Sequence, residues 1–341
     1  MTTPETTAWQ LEGRGIDELR EVRMPVEPLA PTEIRIAVGA VALNYRDLLV
    51  IEGSFLTDLE RPFVPGSDAS GRIVEVGSDV TRFRVGERVL THFWVDWIGE
   101  QPPVRTLADA RSLGGPLPGV LAKQVTVDQE HAVHAPEQLD DAEAATLPIA
   151  GLTAYCGLLR DGSLDASSTV LIQGTGGVAC FGTQLAAAAG SRVIVTSSSP
   201  DKLGEARRLG ATDVIDRNAR PDWHRAVIEL TAGRGVDRVL ELGGGEGLQQ
   251  SVQTLSFGGE IVQVGFIAGA EAGLVLPTLM LRQARIRGVS VGSRDAFEEF
   301  VQWIDRNGLA PRIDSIHEFD AADEAFRRLE AGPLGKVVVT C

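Results

Sequence analysis

The 341-residue chain is short of cysteine, of tyrosine and of positive charge. Its three cysteines, Cys156, Cys180 and Cys341, are odd in number and scattered, which excludes a disulfide framework and suits a reducing cytoplasm. Lys and Arg total 32 against 47 Asp and Glu, a formal net charge of −15. A polyanion would be repelled over most of such a surface, so nucleic acid and anionic membranes are excluded as partners. No basic segment leads into an apolar core at Met1–Thr7, which predicts no signal peptide. The most apolar helical stretch, Ala179 to Ala189, is interrupted by Gly182 and Gln184 and is too short to span a bilayer. These absences together predict a soluble, cytoplasmic protein, and the length allows two domains.

What the sequence does contain is concentrated in Val170-Leu-Ile-Gln-Gly-Thr-Gly-Gly-Val-Ala179. An apolar strand ends in Gly174, Thr175, Gly176, Gly177 and Val178, then runs into an Ala-rich helix. Strand, glycine turn and helix make the first unit of a dinucleotide fold, with Ala179 at the third glycine position. Gly174 permits the tight turn, and Gly176 lets the backbone approach a pyrophosphate. The helix N-terminus offers that anion free N–H groups.

Up to about Ala135 the chain carries short strand-like runs: Glu33–Val38 alternating at period two, Gly71–Gly77 and Val85–Leu90. They predict a β-rich barrel or sandwich, with Phe93 to Gly119 as a long loop. From Asp141 the texture is β-α-β. Strands are expected at Arg192–Thr196, Asp213–Asp216, Val236–Glu241, Glu260–Gly265 and Ile286–Val291. Helices are expected at Leu152–Leu159, Pro200–Leu209, Trp223–Thr231 and Gly247–Leu255. That rhythm predicts a doubly wound parallel sheet over residues 136–291. Residues 292–341, with a helix at Ala296–Asn307 and a strand to Thr340, return to the first domain, residues 1–135.

Five segments in this order resemble the medium-chain dehydrogenase/reductase superfamily: Leu43–Asp47, Pro65–Gly71, Ala145–Tyr155, Gly174–Val178 and Gly335–Val339. The resemblance spans the whole chain and implies a GroES-like β-rich catalytic domain with a Rossmann cofactor domain. It is greatest to the zinc-independent branch of quinone oxidoreductases and enoyl reductases. Thr196–Ser199 and Val291–Arg294 are shared with a subgroup called alcohol dehydrogenases. Zinc-dependent relatives place their ligands at positions that are here Asn44, Ser67 and Ile149, an amide, a hydroxyl and an aliphatic chain. Those groups cannot form the nitrogen–sulfur set that Zn²⁺ prefers, so no metal is expected.

An NAD-binding carboxylate is missing about 20 residues beyond the glycine turn, where Ser197 stands. Ser197, Ser198 and Lys202 therefore predict NADPH, although Ser197–Ser199 equally suit the cap of a helix beginning at Pro200. The resemblance further implies that Asn44, Thr153, Gly265, Phe266, Ile267, Gly292, Ser293 and Arg294 frame the cofactor. Tyr45 and Asn44 are the candidate catalytic residues, Tyr45 as a hydrogen-bond donor to a developing enolate. Asp47 suits a structural ion pair. Tyr45, His92, Trp94 and Trp97 are candidates to line a small-molecule pocket, while both tryptophans equally suit a loop core or an interface. The expected activity is hydride transfer from NADPH to an enone, enal or quinone. The alternatives are a metal-free alcohol/ketone oxidoreductase, with Tyr45 and His92 as proton relay, or a non-catalytic NADPH sensor. The resemblance also implies a homodimer joined at the Ile286–Val291 edge.

Overall fold

Two units organise the chain in the computed structural model, which describes residues 4–55, 59–101 and 110–341. One is Met1–Leu152 with Val291–Cys341, and the other is Thr153–Ser290. The first opens with an antiparallel hairpin of β1 (Glu5–Leu11) and β2 (Leu19–Pro25). Then come β3 (Glu33–Leu43), α1 (Tyr45–Glu52), β4 (Asp68–Val76), β5 (Arg88–Thr91), β6 (Gln124–Asp128) and β7 (Ala132–His134). β3 is flanked on both sides, and even Arg35 is buried there. Its guanidinium is satisfied by Glu75 at 2.8 Å, Thr126 Oγ1 and the Glu27 carbonyl, which offsets the burial cost. Part of the expected long loop, residues 102–109, lies outside the described residues. α2 (Asp141–Ala144) opens with a capping box between Asp140 and Glu143 and packs on β3 and β4. Those contacts place it in the first unit, where the sequence reading begins the second at residue 136.

The second unit starts in α3 (Leu152–Tyr155), flanked by wider π-type turns at Leu147–Gly151 and Cys156–Arg160. Sequence spacing predicts one helix over Leu152–Leu159; Pro148, Gly151 and Gly157 are poor helix formers within the longer stretch. Beyond it alternate β8 (Thr169–Gln173), α4 (Gly177–Ala188), β9 (Arg192–Ser197), α5 (Pro200–Arg208), β10 (Asp213–Asp216), α6 (Trp223–Leu230), β11 (Val236–Glu241), α7 (Gly247–Thr254), β12 (Leu255–Gln263), α8 (Leu276–Leu281) and β13 (Arg285–Gly288). The six strands are parallel in the order β10-β9-β8-β11-β12-β13. Every residue of β8 is buried, as a strand covered on both faces requires. From β8 the chain winds outward to β9 and β10, then crosses to β11. The gap between β8 and β11 is the topological switch point, beyond whose carboxyl ends such sheets bind ligands.

β13 stops at Gly288, short of the expected Val291, because the chain there leaves extended geometry. Val291 has φ 63°, costly for a β-branched side chain, and strain of this kind gathers at functional segments. The first unit then resumes with α9 (Arg294–Asn307), β14 (Ile313–Glu318), α10 (Ala322–Glu330) and β15 (Lys336–Thr340). β15 pairs antiparallel with β3, Val337 opposite Leu43, and completes a seven-stranded sheet ordered β14-β15-β3-β4-β5-β7, with β6 also on β3. Phe326 of α10 and the inner faces of β3 and β15 share its core. Among the described residues no helix is long and apolar enough to cross a membrane.

Candidate active site

At the crest of the parallel sheet, β8 ends in Gly174, whose φ of 81° is left-handed. Among the described residues a Cβ added at Gly174 or Gly176 would meet nothing within 4 Å, which leaves room at the turn. Among the described residues no side chain caps α4, which leaves its first N–H groups available to an anion seated on that turn. Glu241, fully buried at the end of β11, fastens the next loop. Its carboxylate accepts from Gln173 Nε2 at 2.7 Å, from Ser251 Oγ, and from the N–H groups of Gly243 and Gly244 at 3.0 and 2.9 Å. The Ala268 N–H donates to the Gly243 carbonyl at 2.7 Å, and the Gly265 N–H donates to the Glu241 carbonyl at 3.1 Å. Between these anchors Phe266 and Ile267 stand exposed. The open cradle and this anchored crest fit a dinucleotide.

At the end of β9, Ser197 is buried and its Oγ accepts the Ser199 N–H at 3.1 Å. Ser198 is exposed, and Lys202 lies in the first turn of α5. Beside them is Arg217, a residue missed in the sequence. Its N–H donates to the Ser197 carbonyl at 2.9 Å, and its Nε is buried with no hydrogen-bond partner among the described residues. Burial lowers the Arg217 pKa against the attraction of Glu241. The available signal was its place directly after β10, the parallel neighbour of β9.

The three positions that hold metal in zinc-dependent relatives come together in the first unit, around Asp68. Asp68 Oδ2 accepts from Asn44 Nδ2 at 2.9 Å and from the Ile149 N–H at 3.2 Å, and Ser67 precedes it in the chain. Lys336 Nζ donates to Asn44 Oδ1 at 2.6 Å and lies 3.7 Å from Asp68 Oδ2. The Asn44 N–H donates to Asp47 Oδ2 at 2.8 Å, and Ser67 Oγ donates to Asp47 Oδ1 at 2.8 Å. Arg46 donates to Ser67 Oγ at 2.5 Å and to the carbonyls of Leu113, Gly114 and Gly115, and it stacks over Phe93. Burial pushes the Asp68 carboxyl up to about 7 against the pull of Lys336 and the Asn44 amide. Burial likewise lowers Lys336 against the opposing pull of Asp68. Arg46, Asp47, Asp68 and Lys336 thus bring two basic and two acidic side chains together. The donor set does not fit zinc: the amide and the hydroxyl are committed inward and the third group is aliphatic.

Asn44 was expected to point at substrate or ribose; the structure turns its amide inward instead, onto Lys336 and Asp68. Tyr45, the first residue of α1, is 43 % exposed and available to a ligand. His92 was expected to line the pocket or relay protons. It is 1 % exposed, its Nε2 pairs with the Gly292 carbonyl at 3.0 Å, and burial lowers its pKa to about 4. It is therefore a neutral tether between the end of β5 and the strained Val291–Gly292 segment. Trp94 packs edge-on against Phe93, and the Trp97 carbonyl accepts the Arg294 N–H at 2.8 Å. Ser293 caps α9 through the Ala296 N–H, while the Arg294 guanidinium is engaged by Glu130 and Glu298. Thr153 and Thr175 are buried, and Val178 lies half-buried in the first turn of α4.

Residues 30–137 match the alcohol dehydrogenase GroES-like domain family, and residues 177–306 match the zinc-binding dehydrogenase family. A zinc-type alcohol dehydrogenase-like protein of Schizosaccharomyces pombe is 37 % identical over 95 % of this chain and 96 % of its own. The crystal structure of a putative alcohol dehydrogenase from Sinorhizobium meliloti 1021 superposes with a TM-score of 0.95 at 43 % identity, covering all of both chains. A 2-octenoyl-CoA carboxylase reductase, solved with NADP and 2-octenoyl-CoA, superposes at 0.88 with 26 % identity, covering all of this chain and 88 % of that one. With its GroES-like domain and its parallel-sheet domain, the chain belongs to the medium-chain dehydrogenase/reductase superfamily. It is an oxidoreductase of that superfamily, similar to alcohol dehydrogenase-like and quinone oxidoreductase-like proteins.

Proposed function

We propose that the protein is an NADPH-dependent, zinc-independent reductase acting on an activated C=C bond, as in an enone or enal, or on a quinone. The observation that carries this reading is the replacement of a metal donor set by the inward-turned Asn44 amide, the committed Ser67 hydroxyl and the aliphatic Ile149. A saturated ketone needs its carbonyl strongly polarised, a task that metal performs in many enzymes. A conjugated acceptor spreads the incoming charge, so hydrogen bonds suffice. The 2-octenoyl-CoA reductase similarity supports a conjugated acceptor.

The reduced nicotinamide supplies the hydride. Gly174, Thr175, Gly176, Gly177 and Val178 cradle the pyrophosphate, with Thr153, Gly265, Phe266, Ile267, Gly292 and Ser293 around the nicotinamide half. Ser197, Ser198, Lys202 and Arg217 hold the 2′-phosphate, where a carboxylate would repel it. Tyr45 donates its phenolic hydrogen bond to the substrate oxygen as negative charge develops. The protein works as a cytoplasmic homodimer. Val275, Leu276, Met280 and Leu281 are more than half exposed around α8, in the unit where β13 forms a sheet edge, and they supply apolar surface for pairing.

The deciding experiment follows oxidation of NADPH and of NADH anaerobically with quinones, enones, saturated ketones and aldehydes, with and without chelator. Chelator-resistant, NADPH-linked turnover of quinones or enones is expected. Turnover confined to saturated ketones or aldehydes, or its loss with chelator, overturns the reading.

A further inference from the structure

Asn44 precedes Tyr45 and serves as the N-cap residue of α1, with extended φ and ψ of −126° and 153°. All four of its polar functions are engaged. Its N–H donates to Asp47 Oδ2, its carbonyl accepts the Asp47 N–H at 2.9 Å, Oδ1 accepts from Lys336 and Nδ2 donates to Asp68. The cation on one end and the carboxylate on the other leave the amide one stable orientation, because a flip would face N–H against ammonium and oxygen against carboxylate. Lys336 is 3 % exposed and sits at the first residue of β15, opposite the end of β3. A bound metal would anchor this junction through side chains at 44, 67 and 149. In this chain an ammonium ion bonded to the side chain at position 44 stands there instead.

We propose that Lys336 is a positioning residue of the site: paired with Asp68, it locks Asn44 and thereby fixes where α1 presents the Tyr45 phenol. The inference rests on the reading of Tyr45 as the hydrogen-bond donor. It gives the buried ion pair a task in place of a metal ion. Lys336 touches no reacting atom, so its effect passes wholly through the start of α1. Arg46 and Asp47 brace the same turn from the other side through Ser67 and the Leu113–Gly115 carbonyls.

The chain has two tyrosines, Tyr45 and Tyr155, so protein labelled with 3-fluorotyrosine gives two ¹⁹F resonances, assigned by Tyr45→Phe. In Lys336→Met the Tyr45 resonance is expected to shift or broaden while that of Tyr155, in the other unit, stays in place. Lys336→Arg, which keeps the charge and can still reach the Asn44 oxygen, is expected to restore the Tyr45 signal. If Lys336→Met does not fold, Asp68→Asn/Lys336→Met removes both buried charges and serves in its stead. In parallel, kcat on the best acceptor is expected to fall about tenfold in the Met variant, with KM for NADPH within twofold. A native Tyr45 resonance in the folded Met or double variant overturns the proposal. If the wild-type chain turns over none of the acceptors, the reductase reading fails while the ¹⁹F comparison still decides the positioning role.

Discussion

The main-chain N–H of Arg217 donates to the carbonyl oxygen of Ser197 at 2.9 Å, tying the residue after β10 to the last residue of β9. The tie fixes the main chain of an arginine beside the position where NAD-binding relatives of this fold carry a ribose-binding carboxylate. Arg217→Ala is expected to weaken NADPH binding about 10- to 100-fold, the worth of one charge-assisted contact of about 1.5–3 kcal/mol. NADH binding should change little. Ser197→Asp should reverse the preference by repelling the phosphate. Titrating each variant with both nucleotides checks this, and equal losses for the two would remove Arg217 from the phosphate site.

Tyr45→Phe removes only the phenolic oxygen from an exposed position. If the hydroxyl donates mainly to developing charge, kcat should fall about 100-fold or more while substrate KM changes little. A variant with wild-type kcat would leave the donor role to another group or to solvent.

His92 gives a pH dependence whose sign is fixed by burial. Its folded pKa is about 4 against the ordinary 6.5. Below pH 6.5 the unfolded chain therefore takes up a proton that the folded chain refuses. Stability present at neutral pH is lost as pH falls from 6.5 toward 4, by about 3 kcal/mol from this group. Asp68, with its pKa raised to about 7, acts in the opposite direction over pH 4–7. Comparing denaturation midpoints of wild type and His92→Gln at pH 7 and pH 4.5 isolates the histidine. The wild type should lose more stability than the variant on acidification, and parallel losses would refute the assignment.

The exposed apolar side chains near β13 predict the assembly. Met280→Glu combined with Leu281→Glu places two charges on that surface and is expected to yield monomers with an unchanged fold, read by sedimentation velocity and circular dichroism. A double variant that still sediments as a dimer would move the interface elsewhere.

The centre of the parallel sheet was legible in the sequence because β8 and β9 are short runs of Val, Ile and Leu, and burial on both faces demands that composition. The glycine turn was legible for a related reason: Gly174 and Gly176 stand where the backbone needs a left-handed turn and open space. The hairpin Glu5–Pro25 was not foreseen. The inward turn of Asn44 was hidden because its partners, Asp68 and Lys336, are distant in the chain, and the pairing of β3 with β15 brings Lys336 to it. Arg217 escaped notice because an arginine after a strand reads as a solvated end until the neighbouring strand is known. His92 misled for the opposite reason: imidazole chemistry suggests proton transfer, and only burial against the Gly292 carbonyl shows a tether.

The antiparallel pairing of β15 with β3 also dictates an order of assembly. Asn44 leaves the ribosome 292 residues ahead of Lys336, a delay of about 15–60 seconds at ordinary translation rates. The second unit is contiguous and can fold during that interval, whereas the first lacks β15 until residues 336–340 are made. Translation therefore completes the Asn44 network late, and a chain cut before β15 would keep the glycine turn of the second unit while leaving Asn44 without Lys336.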